Sequence, residues 1–220
     1  MFTGVRALVF DFDGTLVDAS AAICHSFNNA LSRFGLPGRA EVDIQAMIGR
    51  PLHEMFHRAQ PQLDQTDIDL LVAYYREAFA PVAASLSRPM PGLGTMLSHF
   101  RSRCALGIAT SRLSDGAEKI LGHLGCLDAF CVIIGLQDVT HPKPHPEPVL
   151  KAVMALGATP ASSVMIGDVP DDMRAGRAAG TSTVGIISDL YDAATLRAAG
   201  ADEVIARLDE LMPLIRLADH

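Results

Sequence analysis

Residues 7–18 read Ala-Leu-Val-Phe-Asp-Phe-Asp-Gly-Thr-Leu-Val-Asp, an apolar run that stops at two carboxylates, Asp11 and Asp13. Residues two apart on a strand point to the same face, so these like charges are expected to lie close together. Two buried carboxylates are unfavourable unless a cation or a proton offsets them. The pair is therefore predicted to bind a metal ion. One carboxylate can then act as a nucleophile toward phosphorus, while the other serves as general acid and base.

The apolar run belongs to a series of short segments that alternate with helical stretches. Continuous apolar strands in such an alternation are typical of a parallel sheet covered on both faces. We expect an α/β fold with a Rossmann-like parallel sheet, helices on both faces, and ligands bound at the carboxyl ends of the strands. The segments are 7–10, 106–109, 132–134, 164–166 and 183–187, with a weaker one at 203–205.

Between residues 18 and 86 the strand signal disappears, and apolar residues recur at three- and four-residue spacing. One stripe runs from Ile23 to Phe34 and another from Ile68 to Phe79, which indicates amphipathic helices. We predict an inserted α-helical cap domain over residues 18–86. The catalytic core is then discontinuous, formed by residues 1–17 and 87–220.

Three further groups of polar residues occur in the sequence, and a shared sheet edge would bring them close to Asp11 and Asp13. Taken singly, each is compatible with an ordinary helix cap or an exposed lysine. Taken together, hydroxyls, a cation and carboxylates at one sheet edge suit a phosphate group and Mg²⁺, which prefers hard oxygen ligands. The residues are Thr110 and Ser111 after segment 106–109, Lys143 between two prolines, and Asp168 and Asp172 after segment 164–166.

Composition excludes several classes of partner. The formal net charge is −7 and no run of lysine or arginine occurs, whereas nucleic-acid binding depends on clustered basic side chains. No signal-peptide pattern is present, and no apolar stretch approaches the roughly 20 residues of a membrane span. The four cysteines form no Cys-x-x-Cys pair. We expect a cytoplasmic protein with no nucleic-acid or membrane partner, as a monomer or a dimer.

The four motifs, in this order and over the whole chain, resemble those of the haloacid dehalogenase superfamily. The predicted helical insert resembles the α-helical cap of that superfamily. Within it, the sequence is most similar to bacterial phosphoglycolate phosphatases and related pyrophosphatases. That likeness rests on residues 13–18 (Asp-Gly-Thr-Leu-Val-Asp), 48–52 (Ile-Gly-Arg-Pro-Leu) and 143–148 (Lys-Pro-His-Pro-Glu-Pro).

The resemblance implies a magnesium-dependent phosphatase that forms an aspartyl-phosphate intermediate. It implies Asp11 as nucleophile and metal ligand. Asp13 would be the general acid and base, with its main-chain carbonyl on the metal, and Lys143 would neutralise charge.

The same resemblance assigns roles to the remaining motif residues. Thr110 and the main chain of Ser111 would hold the phosphoryl oxygens, Asp168 would ligate Mg²⁺, and Asp172 would orient Lys143 or a metal-bound water. Val169 departs from the pattern, because Ser or Thr is common at that position, and this puts only a supporting hydrogen bond in doubt.

The expected substrate is a small phosphorylated metabolite with a second anionic group. The family implies 2-phosphoglycolate, with pyrophosphate as the runner-up, and Arg50 is predicted to bind the second group unless it is a solvated loop cation. A sugar phosphomutase shares the motifs and stays open. A carbon-halogen hydrolase needs no magnesium, so Asp13 and Asp168 argue against it. A non-enzymatic relative would have lost a motif residue, and none is missing.

Overall fold

The computed structural model describes residues 1–218. In chain order, the strands are β1 (Phe2–Val5), β2 (Ala7–Phe10), β3 (Val17–Asp18), β4 (Arg88–Pro89), β5 (Ala105–Ala109), β6 (Val132–Ile134), β7 (Ser163–Gly167), β8 (Ser182–Ile186), β9 (Glu203–Ile205) and β10 (Ile215–Leu217). The helices are α1 (Ser20–Arg33), α2 (Glu41–Gln45), α3 (Leu52–Ala59), α4 (Gln65–Leu86), α5 (Leu93–Phe100), α6 (Ser114–His123), α7 (Glu147–Ala155), α8 (Pro170–Ala179), α9 (Ala193–Ala199) and α10 (Leu211–Leu214).

The central sheet has the strand order β6-β5-β2-β7-β8-β9, and its strands are paired in parallel. All four residues of β2 are buried, because a strand in the middle of a parallel sheet is covered on both faces. Every apolar segment noted in the sequence forms one of these strands. The predicted α/β fold with a Rossmann-like parallel sheet is confirmed.

The two faces of the sheet are packed by different helices, as strand alternation requires. On one face, Val9 and Met165 pack in a cluster that includes Val149 of α7 and Ala175 of α8. On the other face, Leu8 and its neighbours join a larger apolar cluster with α5, α6 and the helices before β4. Both layers are therefore needed to bury the apolar strands.

The register of β2 decides where the reactive residues emerge. Phe10 lies opposite Ile108 of β5 on one side and Ile166 of β7 on the other. The chain leaves β2 for β5 and β6, and then returns to β7 on the opposite side of β2. Ligands bind at such a reversal of strand order, in the crevice beyond the carboxyl ends of the strands.

Helices α1 to α4 (Ser20–Leu86), here called the helical insertion, lie between β3 and β4. These two short strands pair in antiparallel fashion, with Val17 opposite Pro89, so the two connections to the sheet run side by side. The second apolar stripe noted in the sequence is buried in α4, and the first is buried in α1 except for Phe34, which is half-buried at the end of that helix. Among residues 1–218, no helix has the length and apolar character needed to cross a membrane.

An aromatic cluster holds the helical insertion together, and its removal is testable. The Phe56 ring stacks on Phe27 at a centroid distance of 4.2 Å and meets Tyr75 edge-on at 6.3 Å. Phe56→Ala removes both contacts and leaves a cavity, so the free energy of unfolding is expected to fall by about 3–5 kcal/mol. Urea denaturation followed by circular dichroism measures this. Leu70→Ala on α4, where the residue is 42% exposed, is the control, and equal stability of the two variants would contradict the interpretation.

Candidate active site

A buried ammonium group joins two carboxylates beyond the ends of β2 and β7. Lys143 Nζ donates to Asp11 Oδ1 at 2.6 Å and to Asp172 Oδ1 at 2.6 Å. The Lys143 side chain is only 2% exposed, and that of Asp172 is 0% exposed. Charges so far from water are stable only when they are paired and hydrogen-bonded. The structure thus brings three of the sequence-predicted residues into direct contact.

Two glycines make room for the carboxylates. Gly14 has a φ of 84°, and a Cβ atom built there would overlap the Asp168 carboxylate. A Cβ on Gly167 would likewise overlap the Asp172 carboxylate. Asp168 Oδ1 in turn accepts a hydrogen bond from Thr15 Oγ1 at 2.9 Å. The side chains are therefore fixed by close contact on one side and by hydrogen bonds on the other.

Asp11, Asp168 and Asp172 each offer a carboxylate oxygen, and these atoms lie within 4.8 Å of one another. Burial raises the pKa of Asp11 to about 7, although Lys143 acts in the opposite direction. Burial also raises the pKa of Asp168 well above its usual range. One lysine does not offset three carboxylates in this place, and hard oxygen donors are what Mg²⁺ prefers. The donor set fits a divalent cation.

Lys143 remains a cation despite its burial. Loss of water lowers the pKa of the ammonium group, but the charges of Asp11 and Asp172, with their hydrogen bonds, raise it by more. The net direction is upward from the ordinary value for lysine. Lys143 therefore supplies a fixed positive charge beside the carboxylate of Asp11.

Glu147 organises the proline-rich loop that carries Lys143. Its carboxylate accepts hydrogen bonds from the main-chain N–H groups of Thr140, at 3.0 Å, and His141, at 2.9 Å. It also pairs with Lys151 Nζ at 3.0 Å. The hydrogen bond from Thr140 and the contacts of Lys151 and His141 lower the pKa of Glu147 to about 2. A single carboxylate at the start of α7 thus holds the entry of this loop.

Thr110 and Ser111 follow β5 at the same edge of the sheet. The N–H group of Thr110 donates to Ile134 O at 2.9 Å, which continues the β5–β6 pairing by one residue. Thr110 Oγ1 accepts from the N–H group of Arg112 at 3.1 Å. Ser111 Oγ is buried and has no hydrogen-bond partner among residues 1–218. A buried hydroxyl without a partner is unusual in a protein, so Ser111 Oγ has hydrogen-bonding capacity available for a polar ligand at this edge of the sheet.

Asp13 is placed differently from the carboxylates of the cluster. Its two oxygens accept from Arg112, with Nε to Oδ2 at 3.0 Å and Nη2 to Oδ1 at 2.6 Å. Arg112 was not among the residues predicted from the sequence. A basic residue immediately after the strand-end pair Thr110-Ser111 was the available signal. Asp13 therefore lies near Asp11 without sharing the group of carboxylate oxygens that surrounds the cation site.

A cavity of about 240 Å³ opens above these residues, between the sheet edge and the helical insertion. Asp11, Thr110 and Arg112 line it from the sheet side, and Arg50 lines it from the insertion. Arg50 Nη1 pairs with Glu54 Oε1 at 2.7 Å, and its side chain is 30% exposed. Arg50 thus lies at the cavity, but its guanidinium already forms an ion pair with Glu54.

Comparisons with known proteins agree with this architecture. The model of the family described as haloacid dehalogenase-like hydrolase matches residues 8–186. The pyrophosphatase PpaX of Bacillus velezensis is 32% identical over 94% of this chain and 95% of its own length. A phosphoglycolate phosphatase of Yersinia pseudotuberculosis is 29% identical over 98% of this chain and 95% of its own. A crystal structure of a haloacid dehalogenase-like hydrolase from Bacteroides fragilis has a TM-score of 0.89 and 30% identity, and covers 94% of this chain and 100% of that one.

The fold and the carboxylate-rich strand ends are those of a hydrolase with a Rossmann-like core. The chain belongs to the haloacid dehalogenase-like hydrolase family, and within that family it is similar to phosphoglycolate phosphatases and pyrophosphatases.

The role of Glu147 in holding the loop gives a pH-dependent prediction. Its pKa is lowered from an ordinary value of 4.5 to about 2, so its contribution to stability is complete above about pH 4.5. That contribution is lost as the pH falls toward 2. Glu147→Gln should lower the melting temperature at pH 7, and the difference from wild type should shrink between pH 4.5 and 2. Thermal unfolding across this range measures it, with the exposed Glu118→Gln as control. A difference that does not change with pH would contradict the assignment.

Proposed function

We propose that the protein is a magnesium-dependent phosphatase that hydrolyses a small phosphomonoester similar to 2-phosphoglycolate through an aspartyl-phosphate on Asp11. The observation that carries this proposal is the contact of Asp11 with Lys143, at the edge of the cavity and next to Asp168 and Asp172. A carboxylate nucleophile needs nearby positive charge to receive a dianionic phosphoryl group. The buried lysine supplies part of that charge.

In the first half of the proposed reaction, one oxygen of Asp11 forms a bond to phosphorus. The bond between phosphorus and the leaving oxygen breaks, and its electron pair stays on that oxygen, to which Asp13 gives a proton. In the second half, a water oxygen attacks the phosphorus of the aspartyl-phosphate and Asp13 takes the released proton. The bond from phosphorus to Asp11 then breaks, and inorganic phosphate leaves.

Several groups are placed to hold the phosphoryl oxygens during both halves. Thr110 and Ser111 line the cavity beside Asp11, and Lys143 is fixed by two carboxylates. Positioning and electrostatic stabilisation are the main requirements of phosphoryl transfer. These three residues supply hydrogen-bond donors and a positive charge.

The proposed cofactor is Mg²⁺, because the buried donor set consists of carboxylates. Asp11 and Asp168 would hold it, together with the main-chain carbonyl of Asp13 that the family resemblance implies, and Asp172 is a further candidate ligand because its carboxylate lies in the same group. When bound, the ion would stabilise the negative charge on the phosphoryl oxygens. Asp172 would then serve both the ion and Lys143.

The proposed substrate is small because the cavity is small. A volume of about 240 Å³ accommodates a metabolite but no macromolecule. We also propose that residues 18–86, which contain the helical insertion, form a cap over a discontinuous core of residues 1–17 and 87–220, and that this cap limits access from above. Pyrophosphate is the second candidate, since a relative of similar length is a pyrophosphatase.

Asp11→Asn tests the nucleophile. The substitution keeps the shape of the side chain but removes the attacking charge, so phosphate release should fall by at least about 100-fold. A phosphate-release assay over small phosphomonoesters and pyrophosphate measures this, with the exposed Asp128→Asn as matched control. Circular dichroism and thermal unfolding must show that the variant is folded. A folded variant that retains more than about one per cent of wild-type activity would contradict the assignment.

Metal removal tests the cofactor. Activity should disappear in excess chelator and return with Mg²⁺. Calcium should not restore it, because Ca²⁺ takes a larger and looser coordination shell. Full activity in chelator, or equal activity with calcium, would contradict a magnesium-dependent reaction.

A further inference from the structure

Arg112 is a cation at the cavity to which the family resemblance gave no role. Its guanidinium presents five N–H donors in a fixed planar fork. Two of its nitrogen atoms, Nε and Nη2, contact Asp13. Among residues 1–218, no hydrogen bond involves its third nitrogen, Nη1, although the side chain is only 11% exposed. A largely buried guanidinium with unused donors at a cavity is suited to bind an anion.

The surroundings hold Arg112 in this position. The centre of the guanidinium lies 4.6 Å from the ring centroid of Phe79 and 5.5 Å from that of Phe12. Phe79 belongs to α4 of the helical insertion, whereas Phe12 follows β2 of the sheet. Contacts of a guanidinium with aromatic rings are favourable and also limit its rotation. The fork is therefore oriented before any ligand arrives.

Arg112 also lies close to the residues that are proposed to hold the phosphoryl group. Arg112 follows directly after the Thr110-Ser111 pair that is proposed to hold phosphoryl oxygens, and its main-chain N–H group donates to Thr110 Oγ1. The buried Ser111 Oγ, which has no partner within residues 1–218, lies between them in the chain. The guanidinium itself pairs with Asp13, and Arg112 and Asp11 line the same cavity, so one small ligand can contact both residues.

Arg50 is the competing cation, and its environment is less favourable. Its guanidinium pairs with Glu54, which also accepts from Arg58 Nε at 3.0 Å. Its side chain is 30% exposed, so water screens its charge more strongly than that of Arg112. The stronger site for an anionic group is therefore on the sheet side of the cavity.

We propose that Arg112 binds the second anionic group of the substrate, a carboxylate or a phosphoryl group close to the transferred phosphorus, through the donors that Asp13 leaves unused. This inference rests on the proposed phosphatase function. It makes Arg112 the residue that selects substrates with a short anionic tail, while Asp13 stays anchored beside the leaving oxygen.

A binding experiment tests this without depending on turnover. Phosphonoacetate carries a phosphonate and a carboxylate, whereas ethylphosphonate has a neutral tail. In calorimetry with Mg²⁺, wild type should bind phosphonoacetate roughly 10- to 100-fold more tightly, the value of a charge-assisted contact. Arg112→Gln, which keeps a donor toward Asp13, should lose most of this preference, and Arg112→Lys should keep part of it.

The same variants are then compared in turnover, with 2-phosphoglycolate and its amide, whose tail is uncharged, as substrates. The ratio of the two kcat/KM values cancels any effect on Asp13 that both substrates share, so a merely structural role leaves this ratio unchanged. Arg112→Gln should reduce the ratio by roughly 10- to 100-fold. Arg101→Gln, an exposed partner of Asp128, is the control and should leave it unchanged.

Three results would overturn the proposal: no preference of wild type for phosphonoacetate, an undiminished preference in folded Arg112→Gln and Arg112→Lys, or loss of the preference in Arg50→Gln alone. Failure of the phosphatase function has a different signature, in which wild type releases no phosphate from any substrate with Mg²⁺. The calorimetric comparison decides the role of Arg112 in that case as well.

Discussion

Lys143 Nζ contacts the carboxylates of Asp11 and Asp172 at 2.6 Å each, in a place from which water is almost excluded. Ions in such surroundings lose their hydration, and several kcal/mol per ion must be recovered from partners of opposite charge. Asp168 adds a third carboxylate to the same space. The cluster therefore depends on the placement of the Lys143 ammonium group. It also retains negative charge that a metal ion can offset.

The requirements of this cluster explain the local sequence around it. Gly14 and Gly167 leave the space that the carboxylates of Asp168 and Asp172 occupy. Prolines restrict the loop around Lys143, and Glu147 ties that loop to the start of α7. The parallel register places the ends of β2 and β7 side by side. Residues far apart in the chain thus serve one electrostatic arrangement.

The sequence allowed the sheet to be predicted because each strand is an uninterrupted apolar run. It was less informative about Asp13 and Arg112. The sequence pattern predicted that Asp13 lies close to Asp11, and both residues line the same cavity, but β2 ends at Phe10, so strand alternation could not give the partner of the Asp13 carboxylate. The pairing of Asp13 with Arg112 depends on the adjacency of β2 and β5, which single-sequence patterns do not specify.

The contact of Arg50, unlike that of Arg112, could be anticipated from the sequence. Its spacing of four residues from Glu54 is visible in the sequence, and the structure contains this ion pair, with Arg50 just before α3 and Glu54 in the first turn of that helix. Arg50 therefore lines the cavity with one of its nitrogen atoms already paired with Glu54.

The helical insertion and the sheet contribute to the cavity in complementary ways. The negative charge is concentrated below it, at Asp11 and its neighbours, whereas Arg112 and Arg50 line its walls. Val169, where Ser or Thr is common in the family, lies next to Gly49 of the insertion: a Cβ atom built on Gly49 would be 3.2 Å from Val169 Cγ1. An apolar side chain suits this contact better than a hydroxyl would, because a buried hydroxyl needs a hydrogen-bond partner. The departure at Val169 thus belongs to the fit between insertion and sheet, and the same fit places Phe79 against Arg112. The position of the insertion and the orientation of the Arg112 guanidinium are therefore determined together.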